Sequence, residues 1–350
     1  MKGLLLVLSA TAGIALATSA ACTSENALVR KEWRELEDAE RKDYIEAVLC
    51  LRDRPSILSN EDYPGVQDRW DDFVATHINY TNTIHFNGLL LPWHRQFVYL
   101  WEKTLREECG YNGSVPYWNW ALDTDNLLES PVFDGSATSL SGNGAFDPDE
   151  PGPCTPGGIC FPRGTGGGCV ESGPFKDFEV HLGPFPSALV KSYGAIPADA
   201  WDYNPRCLHR NLHTPMLAAL NNQTVIDRMQ ATTNIVDWLA VMSPSDPRVS
   251  NPHSGGHGSV GGAMHDFFAS PQDPSFMLHH AFIDRLWAQW QEQDEENRRY
   301  AINGTTIIYD PPDAPLVTLD TLVEFGTLSP PRKVEKMMDP SKNGYCYTYT

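Results

Sequence analysis

The sequence predicts a single, mainly α-helical domain with long loops and few short strands. Several long segments carry apolar residues at helical spacing, whereas the strand-like runs are short. One long segment that is rich in Gly and Pro also carries cysteines, which is typical of an ordered loop. A chain of 350 residues can bury one large core or at most two domains, and no repeat at a fixed period divides it.

The N-terminal residues 1–21 have the composition of a secretory signal peptide. Lys2 precedes an apolar run over 3–17, and small residues follow at 19–21. No basic flank follows this run, and no later apolar run is long enough to span a bilayer. We therefore expect a secreted protein, cleaved near Ala20 or Ala21, whose domain covers residues 22–350 and is not held in a membrane.

The spacing of apolar residues places the main elements along this domain. Residues 24–52 predict one or two surface helices, and further helices are expected over 66–79, after Pro92, over 224–242 and over 276–293. Between them, residues 135–175 are dense in Gly and Pro and carry three cysteines. We expect this segment to be a loop that disulfides hold in order.

The cysteine content favours an oxidising compartment. The eight cysteines form an even set without a CxxC pair, so disulfides are favoured over zinc sites, and the sequence leaves their pairing open. They are Cys22, Cys50, Cys109, Cys154, Cys160, Cys169, Cys207 and Cys346. Sequons at Asn79, Asn112, Asn222 and Asn303 predict a glycoprotein, with Asn79 the least suited because it lies between two candidate ligands.

The charge balance bears on the class of partner. The formal net charge is −19 and the isoelectric point lies near 4.9. No basic block is present to neutralise phosphates, which argues against a nucleic-acid partner.

Histidines are grouped in two regions of the chain. In the first, His77 and His94 each lie on the apolar face of a predicted helix, with His85 between them. In the second, His253 and His257 are one helical turn apart, so both rings can point the same way.

The second region also contains the adjacent pair His279 and His280. Of these, His280 shares the apolar face of the helix predicted over 276–293 with Trp287. Asp284 lies one turn beyond His280, where its carboxylate could orient the His280 ring.

Single histidines carry little weight, because a lone histidine on an apolar face is more often a hydrogen-bonded core residue than a ligand. His209 and His213 also have helical spacing, yet their charged neighbours indicate surface or structural roles. Two groups together favour a metal centre. Six neutral imidazoles without a ligand carboxylate suit copper, although the spacing alone does not exclude two zinc ions.

Longer motifs around these histidines are specific. They are 85–95 (His-Phe-Asn-Gly-Leu-Leu-Leu-Pro-Trp-His-Arg), 115–120 (Val-Pro-Tyr-Trp-Asn-Trp), 251–257, 273–280, 284–287 and the final Tyr347-Thr348-Tyr349. With these motifs, the chain resembles the fungal tyrosinase and catechol oxidase family of binuclear (type 3) copper proteins, over most of its length.

The resemblance implies both the fold and the ligands. The implied core is a four-helix bundle that holds two copper ions. The ligands would be His77, His85 and His94 for one copper and His253, His257 and His280 for the other. The implied reaction oxidises small o-diphenols (catechols) to o-quinones with O2 reduced to water. Residues beside the ligands and the substrate pocket would be Ser254, Gly258, Phe267, His279 and Asp284, with His279 near the pocket mouth.

Departures from the family pattern bear on specificity. Strong monophenol hydroxylases commonly have Asn where this chain has Ser254, supported by a Glu, and no Glu lies between Asp227 and His253. Phe267 matches the bulky residue that restricts the pocket of plant catechol oxidases. These features favour oxidation of catechols over hydroxylation of monophenols. Thr83 stands where many members have a Cys cross-linked to the second histidine, so we expect no such cross-link.

The chain ends just after the tyrosine motif, so we expect a short form without a C-terminal lid domain, active without proteolysis. Three alternatives stay open within the same site: a tyrosinase with monophenol hydroxylase activity, an o-aminophenol oxidase, and an O2 carrier of the haemocyanin type. A disulfide-rich structural protein with incidental histidines is the alternative without a metal.

Overall fold

The computed structural model describes residues 21–155, 158–185, 196 and 198–350. The predicted signal peptide, residues 1–21, therefore lies outside the described residues except for Ala21. The described part is mainly α-helical with short two-stranded sheets, which confirms the predicted fold class. None of its helices combines the length and the apolar character needed to cross a bilayer.

The elements follow one another along the chain with long loops between them. The α-helices of the described part are α1 Asp38–Cys50, α2 Arg69–Ile84, α3 Leu90–Cys109, α4 Thr214–Leu220, α5 Gln223–Gln230, α6 Ile235–Met242, α7 Pro252–Val260, α8 Ser275–Glu292 and α9 Glu295–Arg298. The strands are β1 Leu28–Arg30, β2 Gly144–Phe146, β3 Gly167–Val170, β4 Glu179–Val180, β5 Arg206–Cys207, β6 Leu322–Val323, β7 Arg332–Lys333 and β8 Tyr347–Tyr349. β1 pairs parallel with β8, and β2–β3, β4–β5 and β6–β7 are antiparallel pairs.

Two helix predictions were wrong in detail. The segment 24–52 begins with strand β1, and its helix α1 starts only at Asp38. The single helix predicted over 224–242 is two helices, because Asn234 caps α6 with its side chain and the chain turns at 231–234. Apolar spacing continues across that turn, so periodicity alone does not locate it.

Helices α2 and α3 are longer than predicted. Asp68 caps α2 by accepting a hydrogen bond from the Asp71 backbone N–H over 3.1 Å, and the helix continues to Ile84. α3 starts at Leu90, so Pro92 lies within the first turn, where the missing N–H breaks no helical hydrogen bond. Gly110, at φ 69°, ends α3 in the left-handed conformation.

Four helices surround the centre of the molecule: α2, α3, α7 and α8. α3 packs along α8, and α7 and α2 pack beside them. Large aromatic rings fill the space between these helices, with Trp70 on Trp101 at 5.2 Å and Phe73 on Phe97 at 5.5 Å between ring centroids. Rigid rings in edge-to-face contact hold the helix axes at fixed spacing.

Disulfides account for all eight cysteines. The pairs are Cys22–Cys346, Cys50–Cys109, Cys154–Cys160 and Cys169–Cys207. Cys22–Cys346 joins the two ends of the domain beside the β1–β8 pair, and Cys50–Cys109 joins the ends of α1 and α3. As expected, the segment 135–175 is a loop with disulfides, and its only described strands are β2 and β3.

Candidate metal centre

The first histidine group converges between α2 and α3. His77 lies on α2 and His94 on α3, while His85 lies in the link between the two helices. The ring centroids are 5.0 Å apart for His77 and His85, 5.1 Å for His85 and His94, and 5.8 Å for His77 and His94. One nitrogen from each ring lies within 4.8 Å of the others, so the group can hold a metal ion.

The second group is built by α7 and α8. Asn251 caps α7 by accepting a hydrogen bond from the Ser254 backbone N–H over 2.9 Å, and Pro252 occupies the first turn. The resulting helix places His253 and His257 one turn apart, with ring centroids at 5.1 Å. α8 adds His279 and His280, and one nitrogen from each of the four rings lies within 4.8 Å of the others.

The two groups contact each other through their rings. The rings of His94 and His280 stack with centroids 4.1 Å apart and an angle of 11° between planes. His85 and His253 are also nearly parallel, at 6.0 Å and 8°. Two metal ions bound by these groups would therefore be neighbours in one binuclear centre.

Hydrogen bonds fix how most of the rings are turned. Nδ1 of His77 lies 2.6 Å from the Phe268 carbonyl, and Nδ1 of His257 lies 2.8 Å from the Met264 carbonyl. Nδ1 of His85 and His94 lie 2.9 Å and 2.8 Å from the carbonyls of Thr81 and Leu90, each four residues earlier in the chain. Because a carbonyl only accepts, each Nδ1 donates, which leaves the Nε2 lone pair for a metal.

The remaining ring nitrogens and the electrostatics agree with this arrangement. Nε2 of His77, His94 and His253 are buried without a hydrogen-bond partner among the described residues. Burial lowers the pKa of His85 to about 4 and that of His257 to about 3, and it also holds the pKa of His77, His94, His253 and His280 well below the ordinary value. The rings are therefore neutral, which is the form that binds metal ions.

The expectation that Asp284 orients the His280 ring was wrong. Neither nitrogen of His280 has a hydrogen-bond partner in the described structure. The Asp284 carboxylate instead accepts hydrogen bonds from Arg95 Nε and from the hydroxyls of Tyr347 and Tyr349. Burial acts to raise the pKa of Asp284, but Arg95 and Arg30 outweigh it and lower the pKa. Both carboxylate oxygens of Asp284 are thus paired with the arginines and are not available to His280.

His279 has a different environment from its neighbour. The Trp120 indole N–H donates to its Nδ1 over 3.1 Å, and the two rings lie 5.1 Å apart. Nothing in the sequence predicts this contact, because Trp120 is far from His279 along the chain.

A row of aromatic rings covers the first histidine group. The Phe267 ring lies 4.8 Å from that of His85, Phe86 stacks on Phe267 at 5.8 Å, and Tyr309 stacks on Phe86 at 5.4 Å. Phe86 at φ 52° and Tyr309 at φ 67° both have left-handed backbone, which is a strained conformation for aromatic residues. Of these two residues, Phe86 directly follows the candidate ligand His85.

Two further residues of the predicted pocket lie on α7. Ser254 is half-buried and follows His253 directly. Gly258 is buried, and a side chain there would come within 2.5 Å of Met216 Cε. Gly258 therefore allows Met216 to pack closely on the α7 backbone.

The other histidine clusters have their own explanations. His213 is buried and structural, since its Nδ1 accepts from the Met216 N–H at the start of α4 and its Nε2 lies 2.6 Å from the Pro162 carbonyl. His209 lies beside the Cys169–Cys207 disulfide. His181 Nδ1 lies 2.6 Å from Asp71, and Arg52 pairs with Asp68 at 2.8 Å, so both carboxylates of this group already have a nitrogen partner.

Comparison with known proteins identifies this constellation. The family profile described as the common central domain of tyrosinase matches residues 67–293, a span that contains both histidine groups. The chain belongs to the tyrosinase family. Enzymes of this family use a binuclear copper site, and the two histidine groups here could bind such a metal pair.

Full-length relatives agree with this family. Tyrosinase P of Aspergillus terreus is 49% identical over 353 residues, which cover 99% of this chain and 98% of the relative. N-acetyl-6-hydroxytryptophan oxidase ivoB of Emericella nidulans is 48% identical over 360 residues, with 99% and 98% covered. A solved structure of a polyphenol oxidase variant from Thermothelomyces thermophila superposes with a TM-score of 0.86 at 35% identity, over 94% of this chain and 90% of that one. The fold is therefore that of a tyrosinase-family polyphenol oxidase.

Proposed function

We propose that this tyrosinase-family enzyme oxidises catechols to o-quinones at a pair of copper ions, with O2 reduced to water. The observation that carries the proposal is the contact between the two histidine groups, with His94 and His280 stacked at 4.1 Å. His77, His85 and His94 would hold one copper, and His253, His257 and His280 would hold the other. Spacing alone left zinc open, and membership of a copper-dependent family favours copper.

The residues present fit such a metal pair. The donor set is all imidazole, the rings are neutral, and several buried Nε2 atoms have no partner within the described residues. A buried nitrogen without a partner is costly, and a metal ion would satisfy it. In five of the six proposed ligand rings, Nδ1 also forms a hydrogen bond that fixes the ring. The partner is a backbone carbonyl for four of them, and for His253 it is the Ser243 hydroxyl at 3.3 Å.

The protein's share in the reaction is geometry and access. When bound, the copper pair would carry the two-electron exchange between the phenol and O2, so that two catechols are oxidised for each O2 reduced to two waters. The rings held at Nδ1 keep their orientation through the cycle. Phe267 and Phe86 would guide a flat phenol ring towards His85 and keep water out of the cavity.

The same aromatic row supports the preference for catechols. Phe267 restricts the space above His85, where its ring lies only 4.8 Å from the imidazole. Ser254, the residue after His253, lacks the amide that accompanies strong hydroxylation of monophenols. Of the residues proposed to affect specificity, these two are the ones that a substrate would meet beside the ligands.

A second candidate rests on one relative. The protein at 48% identity is named as an oxidase of N-acetyl-6-hydroxytryptophan, which carries a phenolic hydroxyl on a fused two-ring system. The flat row of Phe267, Phe86 and Tyr309 offers stacking area for such a ring system. Oxidation of a hydroxyindole is therefore the alternative to oxidation of a simple catechol.

One set of rate measurements distinguishes these functions. The copper-loaded enzyme is assayed with 4-methylcatechol, tyrosine, o-aminophenol and N-acetyl-6-hydroxytryptophan, with initial rate and lag phase recorded. We expect the fastest turnover and no lag with 4-methylcatechol. Rapid hydroxylation of tyrosine without a diphenol primer would contradict the catechol preference, and O2 binding without turnover of any substrate would indicate a carrier.

Secretion, and glycosylation at the predicted sequons, are part of the proposal. The four disulfides support an oxidising compartment, since such bonds persist outside the cytosol. We propose that residues 22–350 form one secreted catalytic domain after removal of residues 1–21, and that small phenols and O2 are its only substrates.

A further inference from the structure

The four histidines of the second group raise the question of which of them bind metal. His253, His257, His279 and His280 all offer a ring nitrogen within 4.8 Å of the others. His279 and His280 are both buried and adjacent on α8, so distance and burial do not separate them. The hydrogen-bond partners of the two rings distinguish His279 from His280.

The contact with Trp120 decides the proton position on His279. An indole N–H can only donate, so His279 Nδ1, at 3.1 Å, must be the acceptor. A neutral imidazole that accepts at Nδ1 carries its proton at Nε2. Both lone-pair positions of His279 are therefore occupied, one by the indole and the other by a proton. His280 differs, because neither of its nitrogens has a hydrogen-bond partner among the described residues.

Packing holds His279 in this orientation. Its ring stacks on that of His253 at 5.7 Å and meets that of His257 edge-on at 4.5 Å. Gly256 lies under it, and a Cβ at that position would come within 2.3 Å of the ring. Trp120 is itself fully buried and meets Phe282 edge-on at 4.7 Å. The ring of His279 thus has little freedom to turn away from the indole.

We propose that the Trp120 indole N–H keeps His279 out of the metal coordination, so that Trp120 is a positioning residue which limits the second metal to His253, His257 and His280. The inference rests on the proposed metal centre. Loss of the indole N–H would free Nδ1 to carry the ring proton, and Nε2 of His279 would then have a lone pair for the metal.

The test uses zinc(II) as a redox-silent probe, so that the readout does not depend on turnover. Metal per chain is measured after loading and desalting. We expect two zinc ions in the wild type and one in His280→Ala, because His279 stays bound to Trp120. The double variant Trp120→Phe/His280→Ala keeps an aromatic ring but lacks the N–H, and we expect it to bind two zinc ions again. Adding His279→Ala to that double variant should return the value to one.

A matched control comes from the same motif. The Trp118 indole also donates a buried hydrogen bond, but to Asp123 at 2.7 Å and not to His279. Trp118→Phe/His280→Ala should therefore stay at one zinc ion. Recovery of the second ion in this control would show general loosening and overturn the proposal. So would two zinc ions in His280→Ala, or only one in Trp120→Phe/His280→Ala.

A second measurement does not depend on metal binding. In the metal-free wild type with 15N-labelled histidine, long-range NMR correlations report the tautomer of each ring. We expect the proton of His279 on Nε2 and that of His94 on Nδ1. A proton on Nδ1 of His279 would overturn the proposal. A wild type that binds fewer than two zinc ions would instead contradict the metal centre, and the inference would fall with it.

Discussion

Tyr347 donates a hydrogen bond from its hydroxyl to Asp284 Oδ2 over 2.6 Å, and this contact joins strand β8 to helix α8, which carries His280. Tyr349 donates to the same oxygen over 2.6 Å. Arg95, which follows His94 on α3, donates to the other oxygen, Oδ1. Asp284 therefore ties the chain end to both helices that supply the stacked pair of histidines.

Removing this carboxylate should destabilise the fold strongly. Asp284→Ala leaves the fully buried guanidinium of Arg95 without its counter-charge, and removing one partner of a buried ion pair costs about 3–5 kcal/mol. The free energy of unfolding, measured by urea titration, should fall by that amount. Asp246→Ala is the control, because its ion pair with Arg248 is exposed, and it should leave stability unchanged. Equal stability of the two variants would contradict this role.

The disulfides should differ in importance according to the loop that each closes. Cys22–Cys346 spans 324 residues and Cys154–Cys160 spans 6. Restriction of the unfolded chain gives roughly 6 kcal/mol for the long loop and roughly 2 kcal/mol for the short one. Cys22→Ser/Cys346→Ser should therefore lower the Tm more than Cys154→Ser/Cys160→Ser, as calorimetry would measure. The reverse order would show that local contacts, and not loop closure, dominate.

Opening the aromatic row should change the preference for substrate size. Phe267→Ala removes the ring nearest to His85. We expect kcat/KM for 4-tert-butylcatechol to rise relative to that for catechol by on the order of tenfold, since pocket volume of this size discriminates by such factors. Phe146→Ala, at an exposed residue of β2, serves as the control. An unchanged ratio in Phe267→Ala would mean that the ring does not limit the pocket.

One buried carboxylate should make stability depend on pH. Burial and the nearby Asp71 raise the pKa of Asp68 from 3.8 to about 7. Because the folded state holds this proton more tightly than the unfolded chain, the contribution of Asp68 to stability is greatest at low pH and falls as the pH rises towards 7. Asp68→Asn can still accept the capping hydrogen bond of α2 but does not titrate.

We therefore expect Asp68→Asn to gain stability relative to the wild type between about pH 5 and about pH 8. Thermal unfolding at both values checks this, with Asp43→Asn on the exposed face of α1 as control. A constant difference between Asp68→Asn and the wild type at the two values would contradict the raised pKa.

The sequence predicted most of what depends on local spacing. Apolar periodicity placed His77 and His94 on inward faces of α2 and α3, and the spacing of His253 and His257 brings their rings together on α7 as predicted. The carbonyl partners of His85 and His94 lie four residues earlier, so helical spacing could have found them too.

Tertiary contacts explain what the sequence did not predict. Phe268 and Met264, whose carbonyls hold His77 and His257, belong to irregular segments without a repeating pattern. Asp284 has the right spacing to reach His280. Its carboxylate instead pairs with two buried arginines from α3 and β1, because attraction between opposite charges is stronger than a hydrogen bond to a neutral ring. Helical spacing predicts which residues share a face of a helix. It does not predict which charged residue from another part of the chain contacts that face.

The measurement that tests the central claim most directly is copper content determined together with catechol oxidation. We predict two copper ions per chain in the active wild type. His94→Ala and His253→Ala should each lose copper and the oxidation of 4-methylcatechol together, while His213→Ala, at a buried histidine outside both groups, should keep both when folded. Full activity in His94→Ala or His253→Ala, or an active wild type without two copper ions, would contradict the account.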